Sequence, residues 1–267
     1  MQKWKIVVTN DDGIDSPGLR AAAEAVAGLG DVTIVAPSHQ QTGMGRSLTG
    51  DLQASLEPVE YLIDGVPVPA YHCACSPALV VRHSLRTLLH DRKIDLLVSG
   101  INYGENLGTN VTCSGTVGAA LEGASAGIPS IAMSKQTEIE SHHKYSEQDW
   151  SVSEYFLNYF ARMLLNQKRL PEVDILKIDV PGDATISTAW KLCKLARTSY
   201  YSKVFDSPDA GSRISDAKTV IEVDPDTLDP ETDIYVLAVD KLVSVTPMSL
   251  DCTSRVNFGQ LRETLTI

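Results

Sequence analysis

Positive charge is in short supply in this 267-residue sequence: 23 Lys and Arg stand against 34 Asp and Glu, a formal net charge of -11. That balance argues against a non-specific nucleic-acid coat, a stable nucleic-acid complex, or a footprint on anionic lipid, all of which rely on clustered Lys and Arg. Long apolar runs are missing too; none approaches the roughly 20 residues that span a bilayer. The opening MQKWKIVVTNDDG lacks the length and small-residue cleavage pattern of a secretory signal, so a soluble, cytoplasmic chain is the expectation. Cysteine is sparse, and Cys73, Cys75, Cys113, Cys193 and Cys252 form neither CxxC pairs nor a Cys/His finger, which leaves reduced thiols. GxGxxG, the Walker GxxxxGKS/T segment and GxSxG are all absent, weakening dinucleotide-oxidoreductase, P-loop NTPase and serine-hydrolase readings.

What is present reads as an α/β chain. KIVVTN (5–10) is a nearly continuous apolar run, as expected of a parallel strand covered on both faces. Ser16 and Pro17 open a helix whose face is Leu19, Ala22, Ala23, Val26 and Leu29, with Gly30 expected to end it. VTIVA (32–36) returns as a second strand and completes a βαβ unit. APSHQQTGMGRSLTG reads as a long loop, Ser76-Pro77 starts a helix to about residue 90, and DLLVS (95–99) is a third strand. GINYGENLGTNVTCSGT is expected as loop before a helix marked by Val117, Ala120, Leu121 and Ala124. Residues 129–133 read as a strand, and Val152, Phe156, Tyr159, Phe160 and Met163 as a helix.

Beyond about residue 175 the texture changes: ILKIDVP and IYVLAV look like strands, the second pairing with 242–246 in a hairpin around Asp240-Lys241. The expected architecture is therefore a three-layer α/β domain over 1–175, followed by a strand-rich lobe over 176–267.

Three polar segments follow apolar strands, where doubly wound sheets bind ligands. Asp11 and Asp12 are adjacent there, and confining both charges is costly unless a cation or hydrogen-bond donors compensate. They read as a hard-cation site or, alternatively, as a solvated turn. Thr42 can add a hydroxyl oxygen and Asn102 an amide oxygen, a set suited to Mg²⁺ or Mn²⁺. Ser114, Gly115 and Thr116 precede a helical face and offer either a phosphate site at a helix start or a plain N-cap. Gly43, Gly45, Gly104 and Gly108 permit close anion approach or serve ordinary turns. His39 reads as an accessible loop side chain, and His142 and His143 as part of a polar surface loop.

Taken together, VTNDDGIDSPGL, APSHQQTGMGRSLT, VSGINYGENLG and CSGTVGAALEGA resemble the SurE family of survival-protein nucleotidases. The blocks run in family order over 8–127. The resemblance implies a Rossmann-like three-layer α/β sandwich with a strand-rich C-terminal extension used in homodimer or homotetramer assembly. It implies a metal-dependent phosphomonoesterase acting on nucleoside 5'- and 3'-monophosphates, with short polyphosphate as a further substrate of some members. Carried over residue by residue, Asp11 and Asp12 match the paired catalytic and metal carboxylates, Thr42 a position usually held by Ser, and Asn102 the metal-binding Asn. Ser114, Gly115 and Thr116 match the SGT segment near the phosphate, with Gly43 and Asn106 in neighbouring family loops. Pro69 stands where the family's GTPADCV segment has Asp, and Asp179 where Asn is common; these departures bear on base or sugar preference more than on phosphate hydrolysis. A broad-specificity acid phosphatase or exopolyphosphatase, and a non-catalytic nucleotide-binding regulator, are the alternatives.

Overall fold

The apolar runs read as buried strands lie side by side in the middle of one nine-stranded sheet. A computed structural model of the chain describes residues 3–142, 144–167 and 171–266. Its strands are β1 (Trp4–Thr9), β2 (Gly30–Pro37), β3 (Glu57–Pro58), β4 (Leu62–Ile63), β5 (Val66–Pro67), β6 (Ala70–Cys73), β7 (Leu96–Tyr103), β8 (Ser130–Lys135), β9 (Ile175–Val180), β10 (Trp190–Leu192), β11 (Tyr201–Val204), β12 (Lys218–Ile221) and β13 (Val243–Met248). Its helices are α1 (Pro17–Ala27), α2 (Pro77–Arg86), α3 (Gly115–Ser125), α4 (Ser151–Asn166), α5 (Asp233–Ala238) and α6 (Phe258–Leu265). The main sheet runs β10-β13-β9-β8-β7-β1-β2-β6-β3, while β4-β5 and β11-β12 form separate antiparallel pairs.

β1 pairs in parallel with β2 on one side and with β7 on the other, so the strand order reverses between β1 and β7. This is the topological switch at which such sheets leave a crevice beyond their carboxyl ends. Ile6 and Val8 join the core shared with α1 and α4, while Val7 packs on the opposite face with Val80, Val81 and Leu97 near α2. The alternation within one strand explains why a buried parallel strand is apolar throughout: both faces meet a helical layer. The three-layer α/β expectation is met.

Several local readings shift. α1 stops at Ala27, and Gly30 begins β2 instead of ending the helix. β7 runs on through Tyr103, so Asn102 sits on a strand end and not in a loop. IYVLAV is helix α5, not a strand, and the expected hairpin does not form: α5 ends before Lys241, which adopts φ +56°, and β13 then enters the main sheet antiparallel to β9. Ile234, Val236 and Leu237 are all buried. A short segment packed on several sides looks apolar in either conformation, so its composition alone does not separate helix from strand. The C-terminal third contributes β9, β13 and β10 to the main sheet and adds the β11-β12 pair. Among the described residues no helix is long and apolar enough to cross a membrane.

Candidate active site

β1 delivers Asn10, Asp11 and Asp12 to the switch point, and the turn that follows is closed by Asn10. Its side-chain amide donates to the Gly13 carbonyl (3.0 Å), and its Oδ1 accepts the Gly13 N–H (3.2 Å). Gly13 has φ +100°, a conformation that a side chain would strain. Asp11 and Asp12 are 5% and 2% exposed. Two adjacent carboxylates are thereby taken out of water within one turn.

Each is held by identifiable donors. Thr116 Oγ1 donates to Asp11 Oδ1 at 2.5 Å, and the Gly115 and Thr116 N–H groups at the start of α3 also face Asp11. The Asp12 carboxylate accepts from the Gln40 amide (3.0 Å) and the Tyr103 N–H (3.3 Å). Burial raises the Asp11 carboxyl above the usual carboxylate range despite the Thr116 hydroxyl. Burial raises Asp12 as well, and the neighbouring Asp11 charge raises it further. Among the described residues no Lys or Arg forms an ion pair with either. The pair is an electrostatic debt that a bound cation would settle.

In front of the pair lies a cavity of about 170 Å³. Asp11, Asp12, Thr42, Gly43, Asn102, Asn106 and Ser114 line it, so seven of the nine residues that the family resemblance assigns to the site meet around one space, with Gly104 beside them. The other two, Gly115 and Thr116, stand behind Asp11: a side chain at Gly115 would overlap that carboxylate, and Thr116 is fully buried against it. The helix start that the sequence offered to a phosphate is thus turned onto Asp11. Ser114 Oγ caps α3 by accepting the Val117 N–H (3.1 Å), a role that leaves its own O–H able to donate. The Asn102 side-chain amide donates to the Tyr103 and Gly104 carbonyls (3.1 and 2.6 Å), which leaves its Oδ1 as the end able to serve as a ligand.

The loop bearing Thr42 and Gly43 is tied down from outside. Gly45 N–H donates to the Cys113 carbonyl (2.9 Å), and Arg46 reaches Glu122 of α3 at 3.0 Å, where Arg82 of α2 also binds. Gly118 lets α3 approach closely, since a Cβ there would collide with the Gly45 carbonyl.

Glu105, Tyr103, Asn110, Cys113, His142 and Tyr201 complete the lining and were not singled out from sequence as cavity residues. His142 therefore faces the site, in contrast to the surface-loop reading; His143 lies outside the described residues. Tyr201 arrives from β11 because Asn110 Oδ1 accepts the N–H groups of Tyr200 (2.8 Å) and Tyr201 (3.0 Å), while its amide donates to the Tyr201 carbonyl (3.3 Å). The segment after His142 also docks on the acidic turn: Gln40 donates to the His142 carbonyl (2.8 Å), and the Tyr145 hydroxyl donates to the Asp12 carbonyl (2.5 Å). His39 lies instead near Ser38 and Cys75 at a separate hollow. Lys135 donates to the Asp149 carbonyl, and Lys191 and Lys194 pair with Asp240 and with Asp229 and Glu231; none lines the cavity.

No group of three or more His, Cys, Asp and Glu side chains forms a metal cage among the described residues. Asp11, Asp12, Thr42 and Asn102 together offer two carboxylates, a hydroxyl and an amide oxygen to the cavity, a hard-oxygen set that suits a partly hydrated Mg²⁺ or Mn²⁺. Among the described residues no Lys or Arg lines the cavity, so the charges that an anion entering it would meet at Asp11, Asp12 and Glu105 are offset by no cationic Lys or Arg side chain.

A family model described as Survival protein SurE matches residues 6–202. The chain is 38% identical over 270 residues to a 5'-nucleotidase SurE of Thermococcus kodakarensis, covering 98% of each. It is 38% identical over 274 residues to a 5'-nucleotidase SurE of Thermococcus gammatolerans, covering 98% of this chain and 96% of that one. The crystal structure of the SurE protein from Aquifex aeolicus superposes with a TM-score of 0.72 at 28% identity, covering 97% of each chain.

Proposed function

The chain belongs to the SurE family, and from that membership we propose that it hydrolyses nucleoside 5'-monophosphates, and 3'-monophosphates, to a nucleoside and inorganic phosphate with one divalent cation, Mg²⁺ or Mn²⁺. The observation that carries this reading is the buried Asp11–Asp12 pair facing a cavity that no Lys or Arg lines among the described residues. A phosphate dianion would be repelled by such a site unless a cation neutralised the two carboxylates.

Asp11, Asp12, Thr42 and Asn102 would hold that cation, and when bound it supplies neutralising charge and polarises the phosphoryl oxygens. The protein's own residues set the geometry. Thr116 and the α3 N-terminus fix the Asp11 carboxylate, and Gln40 and the Tyr103 N–H fix Asp12. Ser114, Asn106 and the Gly43 backbone are the groups placed to receive phosphoryl oxygens, where donors aligned before reaction stabilise developing charge. Gly115 and Thr116 act through Asp11. Water forms the new P–O bond as the P–O bond to the ribose oxygen breaks, and the proton lost by the water ends on the nucleoside hydroxyl. Asp11 and Asp12 are the catalytic carboxylates in this scheme, and Asp12 orients the water. Residues 1–175 are the catalytic domain and 176–267 the extension through which two or four copies assemble; α6, exposed along its length, belongs to that extension.

A phosphate-release panel tests the proposal: AMP, GMP, a 3'-nucleotide, short polyphosphate and p-nitrophenyl phosphate, each with EDTA, Mg²⁺ and Mn²⁺. Metal-dependent release that is fastest on nucleoside monophosphates is expected. Equal rates on p-nitrophenyl phosphate point to a broad phosphatase, and preference for polyphosphate to an exopolyphosphatase. Tight AMP binding without release under any metal would reject catalysis and leave a regulatory binder.

A further inference from the structure

A second buried charge cluster lies beside the cavity and belongs to none of the groups above. On β9, Lys177 and Asp179 are two residues apart and share one face, opposite Ile178 and Val180. Lys177 is fully buried, and its Nζ contacts Asp179 Oδ2 (2.5 Å) and Asp233 Oδ2 (3.1 Å), the latter from the first turn of α5. Both carboxylates are fully buried too.

One oxygen from each carboxylate of this triad reaches the same short loop. Asp179 Oδ1 accepts the Asn106 N–H at 2.7 Å, and Asp233 Oδ2 accepts the Gly108 N–H at 3.0 Å. Between them Leu107 is fully buried and packs with Ala196, Tyr200, Ile234 and Leu237. Asn106 is the residue of this loop that turns toward the cavity, its side-chain amide donating to Ser134 Oγ (2.8 Å). Charge-assisted hydrogen bonds from an N–H to a buried carboxylate are stronger than neutral ones and directional. Two of them on alternate amides fix both the height and the rotation of the intervening backbone.

We propose that Lys177, Asp179 and Asp233 are positioning residues that clamp the Asn106–Gly108 backbone, and thereby set where Asn106 meets the substrate phosphate. In its functional half this rests on the nucleotidase reading; the clamp itself does not. The site of reaction is thus registered from two directions: β1, β7 and the loop after β2 place the residues assigned to the cation, and β9 with α5 places the Asn106 loop.

The test compares full-length wild type, Asp179→Asn and Asp179→Ala by amide hydrogen exchange, Mn²⁺ affinity, affinity of the Mn²⁺-loaded protein for inorganic phosphate, and AMP kinetics. In Asp179→Ala the Asn106 amide is expected to exchange about tenfold faster or more, the loss of one charge-assisted bond. KM for AMP and the phosphate dissociation constant should rise about fivefold, with kcat within about threefold and Mn²⁺ affinity within about twofold, because the cation ligands are untouched. Asp179→Asn, which retains an acceptor oxygen, should fall between. A merely structural role would lower the folded fraction while leaving KM and phosphate affinity unchanged. Exchange at Asn106 and KM both within twofold of wild type in folded Asp179→Ala overturns the proposal. If that variant does not fold, wild-type exchange decides: an Asn106 amide as fast as those of the exposed 51–53 turn overturns it, and one protected like the strand amides of β9 supports it. An inactive wild type would reject the nucleotidase reading alone, since exchange and phosphate affinity still report on the clamp.

Discussion

Two sets of buried carboxylates stand near the carboxyl ends of strands in one sheet, and they are neutralised in opposite ways. Asp179 and Asp233 have Lys177 between them, so the chain carries its own cation and the cluster is closed. Asp11 and Asp12 are nearly as deeply buried, yet are served only by neutral donors and open onto a cavity. The lesson is that burial of acids does not by itself mark an active site. A pair whose partner is built in does structural work, and a pair whose partner is left to solution is available to a ligand.

The contrast breaks first at the closed cluster. Lys177→Met leaves two buried carboxylates without their cation, and we expect urea unfolding to show a loss of about 3–5 kcal/mol, the usual cost of removing one member of a buried pair. A loss below about 1 kcal/mol would mean that the triad contributes no more than a surface pair. At the open cluster the opposite split is expected. Asp11→Asn should keep the fold, because it removes charge at nearly constant volume. It should cut metal-supported phosphate release about a hundredfold or more. Turnover within about twofold of wild type at saturating metal would remove Asp11 from the mechanism.

The smallest effect sharpens the comparison through pH. Because burial raises the folded-state Asp12 carboxyl from 3.8 to about 8, the folded protein without metal binds protons that the unfolded chain has released. Stability contributed by this group is therefore fully present below about pH 4 and lost as pH rises toward about 8. Thermal melts of EDTA-treated protein should show a Tm that falls between pH 5 and pH 8 by a few degrees more than that of Asp12→Asn. Saturating Mn²⁺ should abolish that difference. A Tm difference that is flat across this range would show that the pair is neutralised by something other than a proton or a cation.

Much of this was legible in the sequence, for physical reasons that also explain what was not. Asp11-Asp12 stood out because two charges directly after KIVV are expensive wherever that strand is buried, and Asn102 because it follows a second such run. The SGT segment was legible as a helix start, but not its direction: only the packing of α3 beside β1 turns Gly115 and Thr116 onto Asp11. His142 and Tyr201 carry no local signal, since each reaches the cavity through tertiary contacts of another segment. Tyr201 is brought there by Asn110, 91 residues earlier in the chain. α5 was misread because IYVLAV is apolar throughout, and its helical state is set by Asp233, whose Oδ1 accepts the Ala196 and Ile234 N–H groups. The Lys177 triad was invisible for the same reason: LKID announces two charges in a strand, while the second carboxylate that Lys177 binds lies more than fifty residues away on α5.

The seam built by Asn110 has a practical consequence for producing this protein. Asn110-Val111-Thr112 is an acceptor triplet for N-linked sugars in any cell that exports the chain. The nitrogen that would carry the oligosaccharide is the one that reaches the Tyr201 carbonyl, and the oxygen beside it binds two further amides. A glycan attached during export would stand where β11 must dock, so material secreted from yeast should lack the Tyr201 wall that protein made in a bacterial cytosol retains.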